Sequence, residues 1–153
     1  MTRTILIAAA LIGFGLVAGR STLQPLSIVK AQSSDGCTLG TFKGNYGYLQ
    51  NGNYYDSQGY SGFYAGVGRI VADGAGTFTA VDTINVDGTV VTGRKLVGTY
   101  TVNADCTGSA VFNTASDNKI AGNWDLVFVS SGKEVNMVEK DTDIIVSGTA
   151  KLQ

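Results

Sequence analysis

Along residues 41–152, apolar and polar side chains alternate over short segments, and Gly, Asp and Asn separate one segment from the next. A period of two residues is typical of a β-strand with one face in a core. Short links rich in these turn residues favour hairpins between successive strands. A polar stretch, residues 51–62, is predicted to be a loop. The predicted strands are residues 41–50, 63–72, 76–86 and 89–102, a hairpin arm that ends at residue 112, and residues 119–129, 133–140 and 144–152.

This pattern predicts an all-β protein made of a single antiparallel domain with about eight strands. Sequential hairpins favour an up-and-down barrel, because closing the sheet removes its exposed edge strands. The alternative is a two-sheet β-sandwich, although Greek-key sandwiches need longer connections than those predicted here.

The N-terminal segment has the pattern of a secretory signal peptide. A short basic start precedes an apolar run of about fifteen residues, which is shorter than the roughly twenty that a membrane span needs. We predict a signal peptide over residues 1–31 and a barrel domain over residues 32–153. Cleavage near residue 18 or 19 and a retained N-terminal anchor are the alternatives. The mature protein is then expected in the periplasm, on the cell surface or outside the cell, without stable membrane insertion.

The chain contains two cysteines, Cys37 and Cys106. In an exported protein such a pair predicts one disulfide. The bridge would connect the start of the first strand to the turn of a central hairpin.

Charge argues against nucleic acid as a partner. Removing residues 1–31 takes away three of the 11 basic residues and none of the 12 acidic ones, so 8 positive and 12 negative groups leave a net charge of −4. The basic residues are scattered, and only Arg94 and Lys95 are adjacent. A nucleic-acid surface needs a basic stripe that neutralises phosphates.

The chain has no histidine, which removes the commonest general base and the commonest metal ligand. No phosphate-binding loop, nucleophile elbow or metal-ligand cluster is found, so we predict neither a cofactor nor a metal site. Catalysis would have to depend on carboxylates, Tyr, Lys or Arg, or on the shape of a pocket.

Three charged residues share a phase with apolar neighbours and are therefore candidates for the barrel interior. Arg69 alternates with Val67 and Val71 in the second strand, and Asp82 alternates with apolar residues in the third. A register that places Val67 opposite Asp82 makes Arg69 the diagonal neighbour of Asp82, so we predict an inward ion pair. Glu139 is the third candidate. In the alternative, the opposite phase faces inward, and Arg69 and Asp82 lie in water.

Six of the seven tyrosines lie between residues 46 and 64. A tyrosine combines an apolar ring with a hydrogen-bonding hydroxyl, which suits recognition of sugars, aromatic molecules or proteins. We take Tyr46, Tyr48 and Tyr64 as ligand-binding candidates together with the three charged residues. The alternative is that the Tyr-rich segment packs over one barrel mouth as a plug. Trp124 is predicted to lie in the core.

Residues 98–108, 68–76, 132–135 and 146–150 together resemble a family of small secreted bacterial proteins of unknown function. The predicted strand pattern is also similar, in architecture alone, to the allene oxide cyclase-like and dirigent-like barrels of the calycin group. That second resemblance implies a barrel fold, and no catalytic residue of those enzymes matches a position here.

Three hypotheses about function follow. The first is an exported barrel that binds a small apolar or aromatic molecule in its lumen. The second is a cyclase-like or isomerase-like enzyme that works in the same lumen. The third is a cell-surface structural or interaction protein that uses the Tyr-rich segment. A lumen filled by side chains would leave only the third.

Overall fold

The computed structural model describes residues 36–55 and 58–153. Eight antiparallel strands form a closed barrel in which each strand pairs with its sequence neighbours and the first pairs with the last. The predicted up-and-down barrel is therefore confirmed, and the two-sheet sandwich is wrong. The strands are β1 (Lys43–Tyr55), β2 (Ser61–Asp73), β3 (Thr77–Val86), β4 (Thr89–Val102), β5 (Thr107–Thr114), β6 (Ile120–Val129), β7 (Glu134–Glu139) and β8 (Ile144–Leu152).

The predicted loop at residues 51–62 is mostly strand. β1 continues to Tyr55 and β2 begins at Ser61, and their pairing extends to the Tyr55 and Ser61 positions. Local composition is misleading here, because Asn and Gly are depleted in strands but are tolerated where two long strands pair in register. The predicted signal peptide, residues 1–31, lies outside the described residues. Within the described ranges, no helix is long and apolar enough to cross a membrane.

One end of the barrel, the closed end, is filled by aromatic side chains. The Phe42 ring lies 4.8 Å from the ring of Tyr46 and 5.0 Å from that of Tyr100. The Tyr100 hydroxyl donates to the Phe42 carbonyl oxygen at 2.9 Å, and the Tyr46 hydroxyl donates to that of Gly132 at 2.8 Å. Each buried hydroxyl therefore has an acceptor, as a buried polar group requires.

A disulfide fixes the segment that covers the closed end. Cys37 and Cys106 are bridged across a Cα–Cα distance of 4.9 Å, which confirms the predicted pairing. The backbone N–H of Cys37 also donates to the carbonyl oxygen of Ala104 in the turn between β4 and β5. The bridge thus ties the residues before β1 to the middle of the sheet, although the two parts are 69 residues apart in sequence.

Glycine at one position lets an aromatic ring of one strand lie across the neighbouring strand. A Cβ atom on Gly98 would lie 2.2 Å from a ring atom of Phe78 and 2.3 Å from the carbonyl oxygen of Val111. Neither distance is sterically possible, so glycine at this position allows the Phe78 ring to cross the strand.

Candidate functional site

The opposite end of the barrel, the open end, contains a cavity of about 340 Å³ in the lumen. It lies near the connections from β1 to β2, β3 to β4, β5 to β6 and β7 to β8. A volume of this size falls in the range of small-molecule sites. Most of its wall is apolar or aromatic, and the residues that form this part are Tyr54, Ile84, Val86, Leu96, Phe112, Ala121, Trp124 and Ile144.

The polar part of the wall is centred on a buried ion pair between Asp82 and Arg94. Nε of Arg94 donates to Oδ1 of Asp82 at 2.9 Å, and Nη2 donates to Oδ2 at 2.7 Å. The Tyr48 hydroxyl donates to Oδ2 at 2.8 Å. Such a two-pronged contact between a guanidinium and a carboxylate fixes both groups and neutralises their charges locally. The Asp82 hydrogen bonds raise the pKa of Arg94, which therefore stays charged.

A β-bulge brings Arg94 into the lumen. The pairing of β3 and β4 shifts after Asp82 opposite Arg94, so that Ile84 lies opposite Val91. The extra residue of the bulge is on β4, where Gly93 has a φ of +62°, a conformation that favours glycine. Arg94 then shares an inward phase with Leu96, and its side chain is 22% exposed, whereas that of Asp82 is only 1% exposed.

A second polar contact joins β1 to β2 beside this pair. The Tyr64 hydroxyl donates to Oε1 of Gln50 at 3.2 Å, and Nε2 of Gln50 lies 3.8 Å from the sulfur of Met137. Burial raises the pKa of Tyr64 and, more strongly, that of Tyr48, so both hydroxyls remain protonated donors at neutral pH.

Glu139, at the end of β7, is the other acidic group in the cavity wall. The residue is 8% exposed, and among the described residues its carboxylate has no hydrogen-bond partner. Burial raises its pKa to about 7, with Asp141 adding to the rise and Arg94 opposing it. A Cβ atom on Gly122 would lie 2.7 Å from both Oε1 of Glu139 and Nε1 of Trp124. Glycine therefore leaves room for these two polar groups at the wall.

Four of the six predicted site residues line the cavity: Tyr48, Tyr64, Asp82 and Glu139. The interior placement of Arg69 is wrong, because its side chain is exposed on the outer face and Asp82 pairs with Arg94 instead. The cause is a one-residue difference in register, since Gly68 and not Val67 lies opposite Asp82. Tyr46 is buried at the closed end and is not part of the cavity wall.

Sequence reasoning missed Arg94 and Gln50. Arg94 lies two residues before Leu96 and six before Tyr100, and both of these are buried. This shared phase is the signal that could have identified Arg94. The adjacent Lys95 obscures that signal, because two neighbouring cations resemble a surface pair. Gln50 lies at the end of the predicted first strand in the same phase as Tyr46 and Tyr48, and this phase is the signal that could have identified it. Gln50 is 3% exposed.

The Tyr-rich segment divides between the cavity and the surface. Tyr54 and Tyr64 line the cavity, whereas Tyr55 and Tyr60 are exposed. The Tyr54 and Tyr60 rings lie 6.4 Å apart, and the Tyr60 hydroxyl donates to Asp87 in the turn between β3 and β4. The segment therefore borders the mouth, and the cavity beneath it is not filled.

Among the described residues, no group of three or more acidic or cysteine side chains is arranged to hold a metal ion. The charged groups of the lumen instead have the arrangement of a polar wall in an otherwise apolar pocket. This arrangement can orient a small organic molecule by hydrogen bonds and by charge.

Comparisons with known proteins identify no family. No protein-family model matches the sequence, and no curated protein matches it. A solved structure described as a de novo designed fluorescence-activating β-barrel aligns with 18% identity and a TM-score of 0.43, covering 74% of this chain and 94% of the design. That similarity carries no argument about function, and the barrel topology is established by the strand pairing itself. The resemblances to secreted bacterial proteins and to calycin barrels stay predictions.

Proposed function

We propose that this protein binds a small, largely apolar or aromatic molecule in the cavity at the open end of the barrel. The observation that carries the proposal is a lumen of about 340 Å³ that is apolar over most of its wall and contains a buried ion pair. A barrel that serves only as a scaffold would gain stability by filling this space, because an empty apolar volume forgoes packing energy.

The rigidity of the polar wall supports the same proposal. Asp82, Arg94 and Tyr48 hold one another in place through three charge-assisted hydrogen bonds. Polar groups that are fixed before the ligand arrives reduce the entropy lost on binding. An interaction protein that used only the Tyr-rich segment would not need this arrangement within the lumen.

Export is the second part of the proposal. A disulfide persists in an oxidising compartment and is rare in the cytosol. The apolar run and basic start within residues 1–31 have the pattern of a cleaved signal. We infer that the mature chain works outside the cytoplasm of a bacterial cell.

Binding can be tested with N-phenyl-naphthylamine, a neutral aromatic probe whose fluorescence rises in apolar surroundings. With about 17 non-hydrogen atoms at about −0.3 kcal/mol each, it should bind with a Kd on the order of 100 µM or tighter. Ala121→Phe adds a ring within the cavity wall and should weaken binding at least about tenfold. Ala65→Phe is the matched control, because Ala65 is exposed on the outer face of β2.

The proposal fails if the wild type does not bind the probe. It also fails if Ala121→Phe binds the probe as tightly as the wild type and Ala65→Phe do. Far-UV circular dichroism and a denaturation curve establish that Ala121→Phe remains folded. A native mass spectrum of protein purified from its own host, compared with a denatured spectrum, tests for a natural ligand and gives the N-terminus of the mature chain. Added mass that is lost on denaturation would identify that ligand by its mass.

A further inference from the structure

The charges in the cavity wall do not cancel. Arg94 is engaged through Nε and Nη2 with the two carboxylate oxygens of Asp82, so those two charges compensate each other. Glu139 has no such partner in the described part of the chain, and Asp141, in the turn that follows β7, adds a second negative charge nearby. The uncompensated charge of the wall is therefore negative whenever Glu139 is ionised.

One aromatic side chain lies beside this carboxylate, and others line the same cavity. Glu139 lies directly opposite Trp124 in the pairing of β7 with β6. The Trp124 ring packs edge-on against Phe112 with 6.1 Å between centroids, and both residues line the cavity together with Tyr54. A largely buried carboxylate in a cavity lined by aromatic rings is the combination that favours an organic cation, through Coulomb attraction and cation–π contact.

We propose, on the basis of the binding function above, that the natural ligand is an amine: a protonated ammonium group on an aromatic or aliphatic body, with the ammonium against Glu139. The apolar wall holds the body of the ligand, and the ammonium forms a charge-assisted hydrogen bond to the carboxylate. A ligand carboxylate or phosphate is disfavoured, because it would approach Glu139 while Arg94 is already committed to Asp82.

The test compares two probes of the same shape on the same protein. Naphthylmethylamine is a cation at neutral pH, and naphthylmethanol of the same ring isomer is neutral. Quenching of Trp124, the single tryptophan of the chain, reports binding of either probe. At about pH 8 the wild type should bind the amine at least about tenfold more tightly than the alcohol, as expected for a close buried charge pair.

Glu139→Gln is the decisive variant, because it keeps the shape and removes the charge. It should abolish most of the preference for the amine and leave the affinity for the alcohol within about twofold. Glu134→Gln is the matched control. Glu134 lies on the same strand and carries the same charge, but its carboxylate lies outside the lumen, 3.3 Å from Nζ of Lys151. Removing the charge of Glu134 should therefore leave the preference for the amine unchanged.

Dependence on pH gives a second readout. The groups that face Glu139 from neighbouring elements are Arg94 on β4, Tyr64 on β2 and Asp141 after β7, with Asp82 beyond them on β3. Arg94 and Tyr64, whose pKa values are both raised, do not change charge between about pH 6 and 8. Amine affinity should therefore rise over this interval with ionisation of Glu139, and alcohol affinity should stay constant.

The possible outcomes separate the two proposals. If the wild type binds the alcohol and the amine equally well, the amine proposal is wrong and the binding function stands. The same conclusion follows if Glu139→Gln still binds the amine more tightly than the alcohol. If neither probe binds, both proposals fail. If the amine preference falls equally in Glu134→Gln, it arises from the overall charge of the protein, which also overturns the amine proposal.

Discussion

The ion pair between Arg94 and Asp82 leads to a quantitative prediction about stability. Arg94→Met removes the guanidinium while retaining an apolar side chain of similar length. Asp82, whose side chain is 1% exposed, would keep only the hydrogen bond from the Tyr48 hydroxyl. A buried carboxylate that loses its counter-charge retains its desolvation penalty without the compensating attraction.

The expected magnitude follows from the geometry. Removing one partner of a buried pair costs about 3–5 kcal/mol. Arg94 is 22% exposed at the open end, so water can reach the site after the substitution, and we expect the low end of that range, about 3 kcal/mol. For a domain of this size the melting temperature should fall by roughly 10 °C.

Guanidinium chloride denaturation followed by Trp124 fluorescence measures the loss as a shift of the midpoint at constant slope. Arg69→Met is the control, because Arg69 is exposed, and its effect should lie within about 0.5 kcal/mol of zero. The double variant Asp82→Asn with Arg94→Met removes both charges and keeps an acceptor for Tyr48, so it should recover much of the lost stability. Equal effects of the two arginine variants would refute the reasoning.

Two further predictions concern Glu139 and the disulfide. Because burial raises the pKa of Glu139 from 4.5 to about 7, the folded state binds its proton more tightly than the unfolded state, and stability declines as pH rises through this interval. The shift corresponds to roughly 3 kcal/mol, reduced to about 2 by water in the open cavity. Glu139→Gln should therefore match the wild type at about pH 4 and exceed it at about pH 8 in denaturation curves, and a pH-independent difference would contradict this. Replacing Cys37 and Cys106 together by Ser should cost up to about 4 kcal/mol, as expected for cross-linking positions 69 residues apart. Titration with N-phenyl-naphthylamine should still show binding, because the bridge lies at the closed end, and loss of binding in the folded double variant would argue that the two ends are coupled.

Much of the fold could be predicted from local pattern. The predicted bounds of β4 and β8 agree with the structure to the residue, because alternation and turn residues both mark their ends. The β1–β2 hairpin is longer than predicted, since strand length there depends on pairing rather than on residue propensity. Tertiary context overrides a polar, Gly-rich composition when every backbone group finds a partner across the ladder.

The site was harder to predict because β2 carries apolar residues in both phases. Phe63 and Val67 are 76% and 57% exposed, whereas Ile70 is buried. Counting apolar residues selects the wrong face in this strand. The structure selects the face with small residues, because a Cβ atom on Gly68 would lie 2.6 Å from Cβ of Asp82. The inner face of a narrow barrel has room for glycine at that point and not for a larger side chain.

Local pattern was enough to predict the alternating strands, the order of hairpins and the cysteine pair, and it gave an inward Asp82 and Glu139 as one of two possible phases. Only the folded arrangement shows that Asp82 forms its ion pair with Arg94. A one-residue change in the β2–β3 register moves Arg69 to the outer face, and the bulge at Gly93 turns Arg94 inward. The physical reason is that side chains in a strand alternate, so register and bulges, which are set by packing between strands, decide which groups share the lumen.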